Sequence, residues 1–319
     1  MGRSRFTSNP SASKDDRGPT HVGPRCFTGT ADPPTAGLRS YVSKIIALVT
    51  AADTRGSQRT DVVTVVAIAA LAYALANIGH EAIGHGGACV VLGGKPLVLS
   101  SVHFECGEES ISAAARRLVA AAGTVVNFLA AGISLFAMRI AGVRRPRLAY
   151  FLWLFTTINL LMGAGYFLFS GLGKIGDWAS VCDGIPPLVW RPGLAVVGGI
   201  LYYIFARSAA RWLRPLVGSD EAAVRRARGL AVPSYIAGGA LYCISGLFNP
   251  VGPILIGISA AAASLGGTSG LLWLTQFVRG TDNVSINPVS ISRSMAWILA
   301  ALMVAIVFIG VLGASIRFK

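Results

Sequence analysis

The chain has 319 residues, of which 53% are hydrophobic and only 13% are charged. Soluble domains usually carry roughly a quarter charged residues, so this composition excludes an ordinary soluble globular protein. The net charge of +14 first suggests a nucleic-acid-binding protein. The positive residues, however, lie between apolar stretches, which is typical of the cytoplasmic loops of membrane proteins. We therefore predict an integral membrane protein that contacts the lipid bilayer and binds no nucleic acid.

The first 61 residues of the sequence predict no membrane span. Residues 1–38 are rich in Ser, Pro, Gly, Thr and Arg and lack apolar periodicity, which predicts a disordered tail. They also lack the apolar core of a secretory signal. Residues 39–61 are predicted to form an interfacial segment, with a short helix over residues 41–52.

Long stretches with little or no charge then predict membrane-spanning helices, since one span needs about 20 apolar residues. These stretches are residues 62–94, 118–138, 148–173, 229–278 and 294–316. The stretch 229–278 is long enough for two spans and is broken by Asn249-Pro250-Val251-Gly252-Pro253. Residues 193–206 are short and glycine-rich, and the count reaches seven spans only if they cross as well.

The distribution of positive charge favours the larger number of spans. With seven spans, 16 Lys and Arg residues of the segment 39–319 fall on one side of the membrane and 7 on the other. Without a span at residues 193–206 the tally becomes 10 against 13, and the asymmetry disappears. Because positive loops favour the cytoplasm, we predict a multi-pass protein of the cell membrane with a cytoplasmic amino terminus.

The predicted fold class is therefore all-α, a polytopic membrane helix bundle of about seven spans with a short β-prone loop after the first span. Residues 62–185 are predicted to form a core of three spans, and residues 186–319 a C-terminal bundle of four. The β-prone loop is residues 97–105, where β-branched and aromatic residues predict a strand or short hairpin.

Cysteine positions give one further structural expectation. Cys106 and Cys182 fall in two loops on the non-cytoplasmic side, where they are candidates for a disulfide. Cys89 lies in an apolar segment and is interpreted as a small core residue.

Ionisable residues inside the first predicted span give the strongest functional signal. His80, Glu81 and His85 stand in a stretch that is otherwise free of charge, and such groups in a membrane segment indicate a functional site by default. Two neutral imidazoles can bind zinc, and an adjacent carboxylate can take a proton from a metal-bound water. The alternative is a hydrogen-bonded polar cluster between helices, and the apolar surroundings favour metal binding over it.

The spacing of the two histidines departs from the usual zinc motif by one residue. His-Glu-x-x-His places both rings on one helix face, whereas the spacing here is His-Glu-x-x-x-His. On a regular α-helix, five residues at 100° each would separate the two side chains by roughly 140°. A π-bulge absorbs one extra residue, and glycines at positions 79, 84, 86 and 87 make local unwinding easier. We therefore predict a bulge or break at residues 81–85.

A third zinc ligand is expected among the acidic residues on the same side of the membrane. Asp177 lies just past the third predicted span, and the topology brings the end of that span to the same face as the end of the first. A carboxylate there would complete a three-ligand site with one position open for water. Asp183 is the rival ligand, and capping of a helix start is the structural alternative for Asp177.

These residues resemble the motifs of the site-2 protease family of intramembrane zinc metalloproteases. His80-Glu81-Ala82-Ile83-Gly84-His85 is similar to that family's His-Glu-x-x-His with one residue inserted. The family's Leu-Gly-Gly is matched by Val91-Leu92-Gly93-Gly94-Lys95-Pro96. Its Ala-Gly-Pro-x-x-Asn is matched, without the proline, by Ala121-Ala122-Gly123-Thr124-Val125-Val126-Asn127. Its Asn-Leu-Leu is matched by Asn159-Leu160-Leu161. The family's Leu-Asp-Gly normally follows soon after Asn-Leu-Leu, but here the first acid is Asp177.

The resemblance covers residues 62–185 and implies an enzyme that hydrolyses peptide bonds of membrane-embedded or membrane-adjacent proteins or peptides, with Zn²⁺ as cofactor. His80, His85 and an aspartate would hold the zinc. Glu81 would act first as general base and then as general acid. Two other functions stay open from the sequence. The inserted residue fits an inactive relative that binds membrane partners. Helix breaks near Asn249-Pro250 and at the run Gly266-Gly267-Thr268-Ser269-Gly270 fit a transporter.

The resemblance also implies how a substrate would bind. The loop 97–105 would offer a strand edge to an unwound peptide. Asn127 and Asn159 would either hydrogen-bond the substrate or join neighbouring helices. Members of the family are described with sites nearer the cytosol, whereas the charge tally places His80 toward the non-cytoplasmic side. Either this branch is inverted or the tally assigns the sides wrongly.

Overall fold

Helices make up most of the chain that the structure describes. The structure is a computed structural model, and it describes residues 60–107, 109, 111–250, 259–278 and 287–319, which all belong to the compact unit Asp53–Lys319. The predicted tail at residues 1–38 lies outside the described residues. So does the predicted interfacial segment at residues 39–61, except for Thr60 and Asp61.

Within these residues the chain forms eight α-helical elements, six of which are long. They are α1 (Val62–Val91), α2 (Ala113–Ala141), α3 (Pro146–Gly173), α4 (Asp177–Val181), α5 (Pro187–Val217), α6 (Ala223–Leu247), α7 (Gly270–Trp273) and α8 (Met295–Leu312). All except α4 and α7 are long and apolar enough to cross a membrane. The prediction of an all-α polytopic membrane bundle is therefore confirmed, and the six long apolar helices indicate an integral membrane protein.

The short, glycine-rich stretch at residues 193–206 is the middle of α5, which is 31 residues long. Pro187 occupies the first turn of α5, where the N–H that proline lacks would have no partner anyway. Gly218 ends the helix with a φ of 79°, which glycine adopts without a steric cost. The long helix that the charge asymmetry required at this position is thus present.

Hydrogen bonds at the two ends of the bundle show that the chain returns across it after α6. At one end, called here the N-terminal end, the Asp61 N–H donates to the Ile291 carbonyl (2.8 Å). At the opposite end, called here the hairpin end, the Ser259 hydroxyl donates to the Val102 carbonyl (3.3 Å). The chain therefore passes from the hairpin end to the N-terminal end between residues 259 and 291.

This return passage, called here the broken crossing, consists of short helical pieces over its described residues 259–278. They are a π-helical turn at Ala262–Gly266, the helix α7, and a 3₁₀ turn at Leu274–Phe277. The Tyr202 hydroxyl donates to the Gly267 carbonyl (3.0 Å) and accepts from the Gly270 N–H (2.8 Å). Irregular backbone at membrane depth needs such partners from the protein. Residues 259–278 of the stretch 229–278 therefore do not form a regular span, and the helix break that the sequence indicated at Gly266-Gly267-Thr268-Ser269-Gly270 lies within them.

One hydrophobic core links helices from both halves of the chain. Its largest buried side chains include Tyr73 of α1, Tyr150 and Trp153 of α3, and Tyr242 of α6. The polar atom of each side chain forms a hydrogen bond: Tyr73 with the Thr268 hydroxyl, Tyr150 with the Leu230 carbonyl, Trp153 with the Ala209 carbonyl and Tyr242 with the Tyr73 carbonyl. These bonds tie α1 and α3 to α5, α6 and the broken crossing without leaving the aromatic polar groups unpaired.

A small antiparallel sheet covers the hairpin end. β1 (Lys95–Leu99) and β2 (Phe104–Gly107) form a hairpin, which confirms the predicted β-prone loop. β3 (Ile316–Arg317), which follows α8, pairs with β1, so the strand order is β2-β1-β3. The outer edge of β1 is therefore occupied by the chain itself.

A disulfide ties the sheet to the end of α1. Cys106 of β2 is bonded to Cys89 of α1, with Cα atoms 6.0 Å apart, and Cys182 is a free thiol. The expected pair of Cys106 and Cys182 is wrong, and Cys89 is more than a core residue. The physical reason is that the hairpin folds back over α1. Gly94 makes room for the bond, since a Cβ there would lie 2.5 Å from the Cys106 sulfur.

Candidate metal centre

A π-helical segment inside α1 turns the two histidines toward one point. Residues Gly79–Gly86 form this segment, and the Gly87 N–H donates to the Ala82 carbonyl, five residues back. With hydrogen bonds between residues five apart, His80 and His85 lie about one turn from each other instead of on different faces. The predicted bulge at residues 81–85 is confirmed.

Three ligand-type atoms meet at this point. His80 Nε2 lies 3.1 Å from His85 Nε2 and 3.2 Å from Asp177 Oδ2, and His85 Nε2 lies 3.4 Å from the same oxygen. His80 is fully buried, His85 is nearly so, and the Asp177 side chain is 20% exposed. Lone pairs of two imidazoles and a carboxylate repel one another at such distances unless a cation, either a proton or a metal ion, lies between them.

The three distances match the edges of a tetrahedral zinc site. Zinc binds histidine nitrogen and carboxylate oxygen at about 2.0–2.2 Å, and tetrahedral angles then place ligand atoms about 3.3 Å apart. The observed separations of 3.1, 3.2 and 3.4 Å lie around this value. Two imidazoles and one carboxylate are also the donor set of catalytic zinc sites, which leave the fourth position open. The residues present therefore fit a zinc ion.

The surroundings of His85 fix which ring nitrogen faces the centre. His85 Nδ1 lies 2.7 Å from the Val119 carbonyl of α2. A carbonyl can only accept a hydrogen bond, so Nδ1 carries the proton and Nε2 presents its lone pair to the cluster. A hydrogen bond from the far nitrogen of a ligating histidine to a carbonyl is usual at metal sites.

His80 is held by an aromatic stack. Its ring lies 4.5 Å from the ring of Tyr166 on α3, with an angle of 9° between the planes. Its Nδ1 is buried and has no hydrogen-bond partner within the part of the chain that the structure describes. At other metal sites a hydrogen bond from the far ring nitrogen fixes the plane of a ligating imidazole. For His80 the stack with Tyr166 serves this purpose.

Asp177 reaches the cluster because α3 ends abruptly. Lys174 caps α3 in the left-handed region (φ 58°), Gly176 follows with a φ of 87°, and Asp177 is the first residue of α4. Burial would raise the pKa of the Asp177 carboxyl, but its close contacts with the imidazoles of His80 and His85 outweigh burial and hold that pKa below its usual range. The carboxylate is therefore ionised, as a metal ligand must be.

Glu81 stands beside the cluster without belonging to it. It is 4% exposed and makes no hydrogen bond with the described residues. Glu81, His85 and Asp177 all line one cavity of about 950 Å³ at the hairpin end. A carboxylate at the wall of the same cavity as two of the candidate ligands is a candidate for a general base.

The helix α2 passes so close to the two imidazoles that only glycine fits there. A Cβ on Gly123 would lie 2.6 Å from His85 Nε2 and 2.6 Å from His80 Cε1. In the same way, a Cβ on Gly84 would lie 2.6 Å from the Gly123 Cα. Close approach through small residues is the usual way in which membrane helices pack.

The structure thus assembles His80, His85 and Asp177, which the sequence predicted as ligands, with Glu81, which it predicted as the base. The rival Asp183 is not part of this cluster, and its backbone carbonyl accepts a hydrogen bond from Arg117 (2.7 Å).

The two asparagines singled out in the sequence do not line the cavity. Asn159 donates from Nδ2 to the carbonyl of Phe155 in its own helix (2.8 Å). Asn127 is fully buried, and its side-chain amide has no partner among the described residues. Neither is placed to contact a substrate in the cavity.

Sequence reasoning missed the positions that support the ligands. The Val119 carbonyl and the Tyr166 ring left no signal, because one is a backbone group and the other a residue within an apolar span. Gly123 was noticed only as part of a motif resemblance. No protein-family model, curated protein or solved structure matches the chain. The resemblance to the site-2 protease family accordingly stays a prediction, and the site is judged on its geometry.

Replacing Gly123 by alanine tests the site without removing a ligand. The added methyl group must displace both imidazoles, so we expect Gly123→Ala to lower zinc affinity at least about tenfold and to cost about 1–3 kcal/mol of stability. Zinc retained after competition with a chelator measures the affinity. Gly132→Ala on the same helix is the matched control, because a Cβ there meets open space. Equal zinc affinity in both variants would contradict the geometry.

Proposed function

We propose that the chain is a zinc-dependent peptidase of the membrane. The observation that supports this most is the tetrahedral spacing of His80, His85 and Asp177 beside the free carboxylate of Glu81 at the wall of an open cavity. When bound, zinc supplies an activated water and polarises a carbonyl oxygen. Peptide-bond hydrolysis needs both, together with one group that moves a proton.

The chain's own residues divide the remaining work. His80, His85 and Asp177 hold the ion and leave one position open toward the cavity. Glu81 accepts the proton of the attacking water on its carboxylate and returns it to the leaving nitrogen as the C–N bond breaks. The proposed base, Glu81, and two of the proposed ligands, His80 and His85, all belong to the π-helical segment, so this one segment fixes their relative positions.

The cavity favours an extended peptide as the substrate. Its wall includes Phe104, Glu105 and Cys106 of β2, and its volume is at the upper end of the range for ligand pockets. The edge of β1 is taken by β3, so the edge available for pairing with a peptide is that of β2. The proposed substrate is a membrane-embedded or membrane-adjacent protein or peptide, unwound where it meets β2.

Two features support an orientation with the N-terminal end in the cytoplasm. The first is the charge asymmetry of 16 against 7. The second is the disulfide between Cys89 and Cys106 at the hairpin end, because disulfides persist in oxidising compartments. Under this proposal the cavity opens to the non-cytoplasmic side.

The orientation is tested by labelling intact cells with a membrane-impermeant maleimide, using a variant that keeps Cys89 and Cys106 and in which Cys26, Cys182 and Cys243 are replaced by serine. We expect Cys106 to be labelled only after reduction, because it is bonded to Cys89 and faces the exterior. Glu221→Cys in the same background, in the exposed loop after α5, should stay unlabelled until the cells are permeabilised. Labelling of Glu221→Cys in intact cells, with Cys106 labelled only after reduction and permeabilisation, would contradict this orientation.

The peptidase proposal is tested by metal content and cleavage together. The purified chain should hold about one zinc, which His80→Ala and Asp177→Ala lose, while Asp183→Ala, the matched aspartate control, keeps it. Glu81→Gln should keep zinc but lower cleavage of an unfolded protein such as casein by about 10²–10⁴-fold, the usual contribution of a general base. Cleavage is followed by mass spectrometry. Undiminished cleavage in Glu81→Gln would contradict the proposal.

The broken crossing favours one other function, that of a transporter. Discontinuous helices at the bundle centre often hold a transported ion, and Gly267 of the broken crossing lines the same cavity as Glu81. This alternative predicts zinc uptake into vesicles that hold the purified chain, with no cleavage. Zinc bound without cleavage or uptake would instead indicate an inactive, partner-binding protein.

A further inference from the structure

Tyr166 is the residue at the cavity whose role the proposed function does not explain. It belongs to α3, lines the cavity together with Glu81 and Asp177, and stacks on the His80 ring. Stacking alone would be served equally well by phenylalanine. The question is therefore what the hydroxyl does.

The hydroxyl of Tyr166 differs from those of the other tyrosines. Six other tyrosines lie in the described part of the chain, and each of their hydroxyls has a hydrogen-bond partner there: Tyr73, Tyr150, Tyr202, Tyr203, Tyr235 and Tyr242. The Tyr166 hydroxyl has none among these residues. Buried or half-buried tyrosines normally place their O–H on a partner, so this hydroxyl is available to a ligand in the cavity.

The backbone holds the ring in a fixed place. Gly165, the preceding residue, packs against the broken crossing, where a Cβ would lie 3.1 Å from the Gly267 Cα. The ring itself is held parallel to the His80 imidazole. Tyr166 also lines the cavity together with Glu81, His85 and Asp177, so it lies at the wall that the ligands and the base share.

We propose that Tyr166 is a catalytic residue that donates a hydrogen bond to the carbonyl oxygen of the scissile peptide bond. This inference rests on the proposed peptidase function. As water adds to the carbonyl carbon, its proton goes to Glu81 and the carbonyl oxygen becomes an oxyanion, which accepts the Tyr166 O–H bond. Collapse of this intermediate breaks the C–N bond, Glu81 protonates the nitrogen, and Tyr166 keeps its proton throughout. A fixed donor aimed at developing charge is an effective way to stabilise such an intermediate.

Tyr166→Phe separates this role from stacking, because it removes the oxygen and keeps the ring. We expect zinc content and the KM for casein to stay within about threefold of the unsubstituted chain. The kcat should fall by about 10²–10³-fold, the usual effect of losing one oxyanion donor. A phosphinic peptide, built on a casein bond that the chain cleaves, mimics the tetrahedral intermediate and should lose affinity by a similar factor.

Tyr235→Phe is the matched control, because its hydroxyl donates to the Leu265 carbonyl and does not line the cavity. It should leave kcat and phosphinate affinity unchanged. An undiminished kcat in Tyr166→Phe, or loss of zinc from this variant, would overturn the inference. The peptidase proposal would still be supported if Glu81→Gln keeps zinc and loses cleavage. Absence of any zinc-dependent cleavage by the unsubstituted chain would overturn both.

Discussion

The candidate site depends on one irregularity, the π-helical segment of α1. A regular helix would turn His80 and His85 about 140° apart and leave a charged residue and two imidazoles in a membrane span without a common partner. Hydrogen bonding between residues five apart removes this conflict and brings the two Nε2 atoms to 3.1 Å.

The neighbouring helices are arranged around this segment. Because Gly84 and Gly123 allow α1 and α2 to touch, the Val119 carbonyl can orient His85. Because α3 stops at a left-handed residue, Asp177 arrives on the same side of the cluster. The broken crossing closes another wall of the cavity, and its Gly267 packs against Gly165 of α3. The candidate metal ligands, the proposed base and Tyr166, from α1, α3 and α4, thus meet at one end of the bundle, where a disulfide-bonded hairpin lies beside them.

Much of this was predictable from the sequence, and the failures have physical causes. Stretches without charged residues located the long helices, because a membrane span needs about 20 apolar residues in a row. The extra residue between His80 and His85 located the π-helical segment, because helix geometry fixes where two side chains five residues apart point. The order of the spans was enough to bring Asp177 to the histidines. The broken crossing was predicted only in part: the run Gly266-Gly267-Thr268-Ser269-Gly270 indicated a helix break, but an apolar composition does not show how far the irregular backbone extends. The disulfide partner of Cys106 was missed because it depends on how the hairpin folds back, which no local pattern reports.

X-ray absorption at the zinc K-edge of the purified chain tests the central claim most directly, since it reads the atoms around the metal. The account predicts a first shell of nitrogen and oxygen only, at about 2.0–2.2 Å, with the scattering pattern of two imidazole rings. In His85→Ala the signal of one ring should disappear. A sulfur shell at about 2.3 Å, or a spectrum without two imidazoles, would show that zinc is not held by His80 and His85 and would contradict the account.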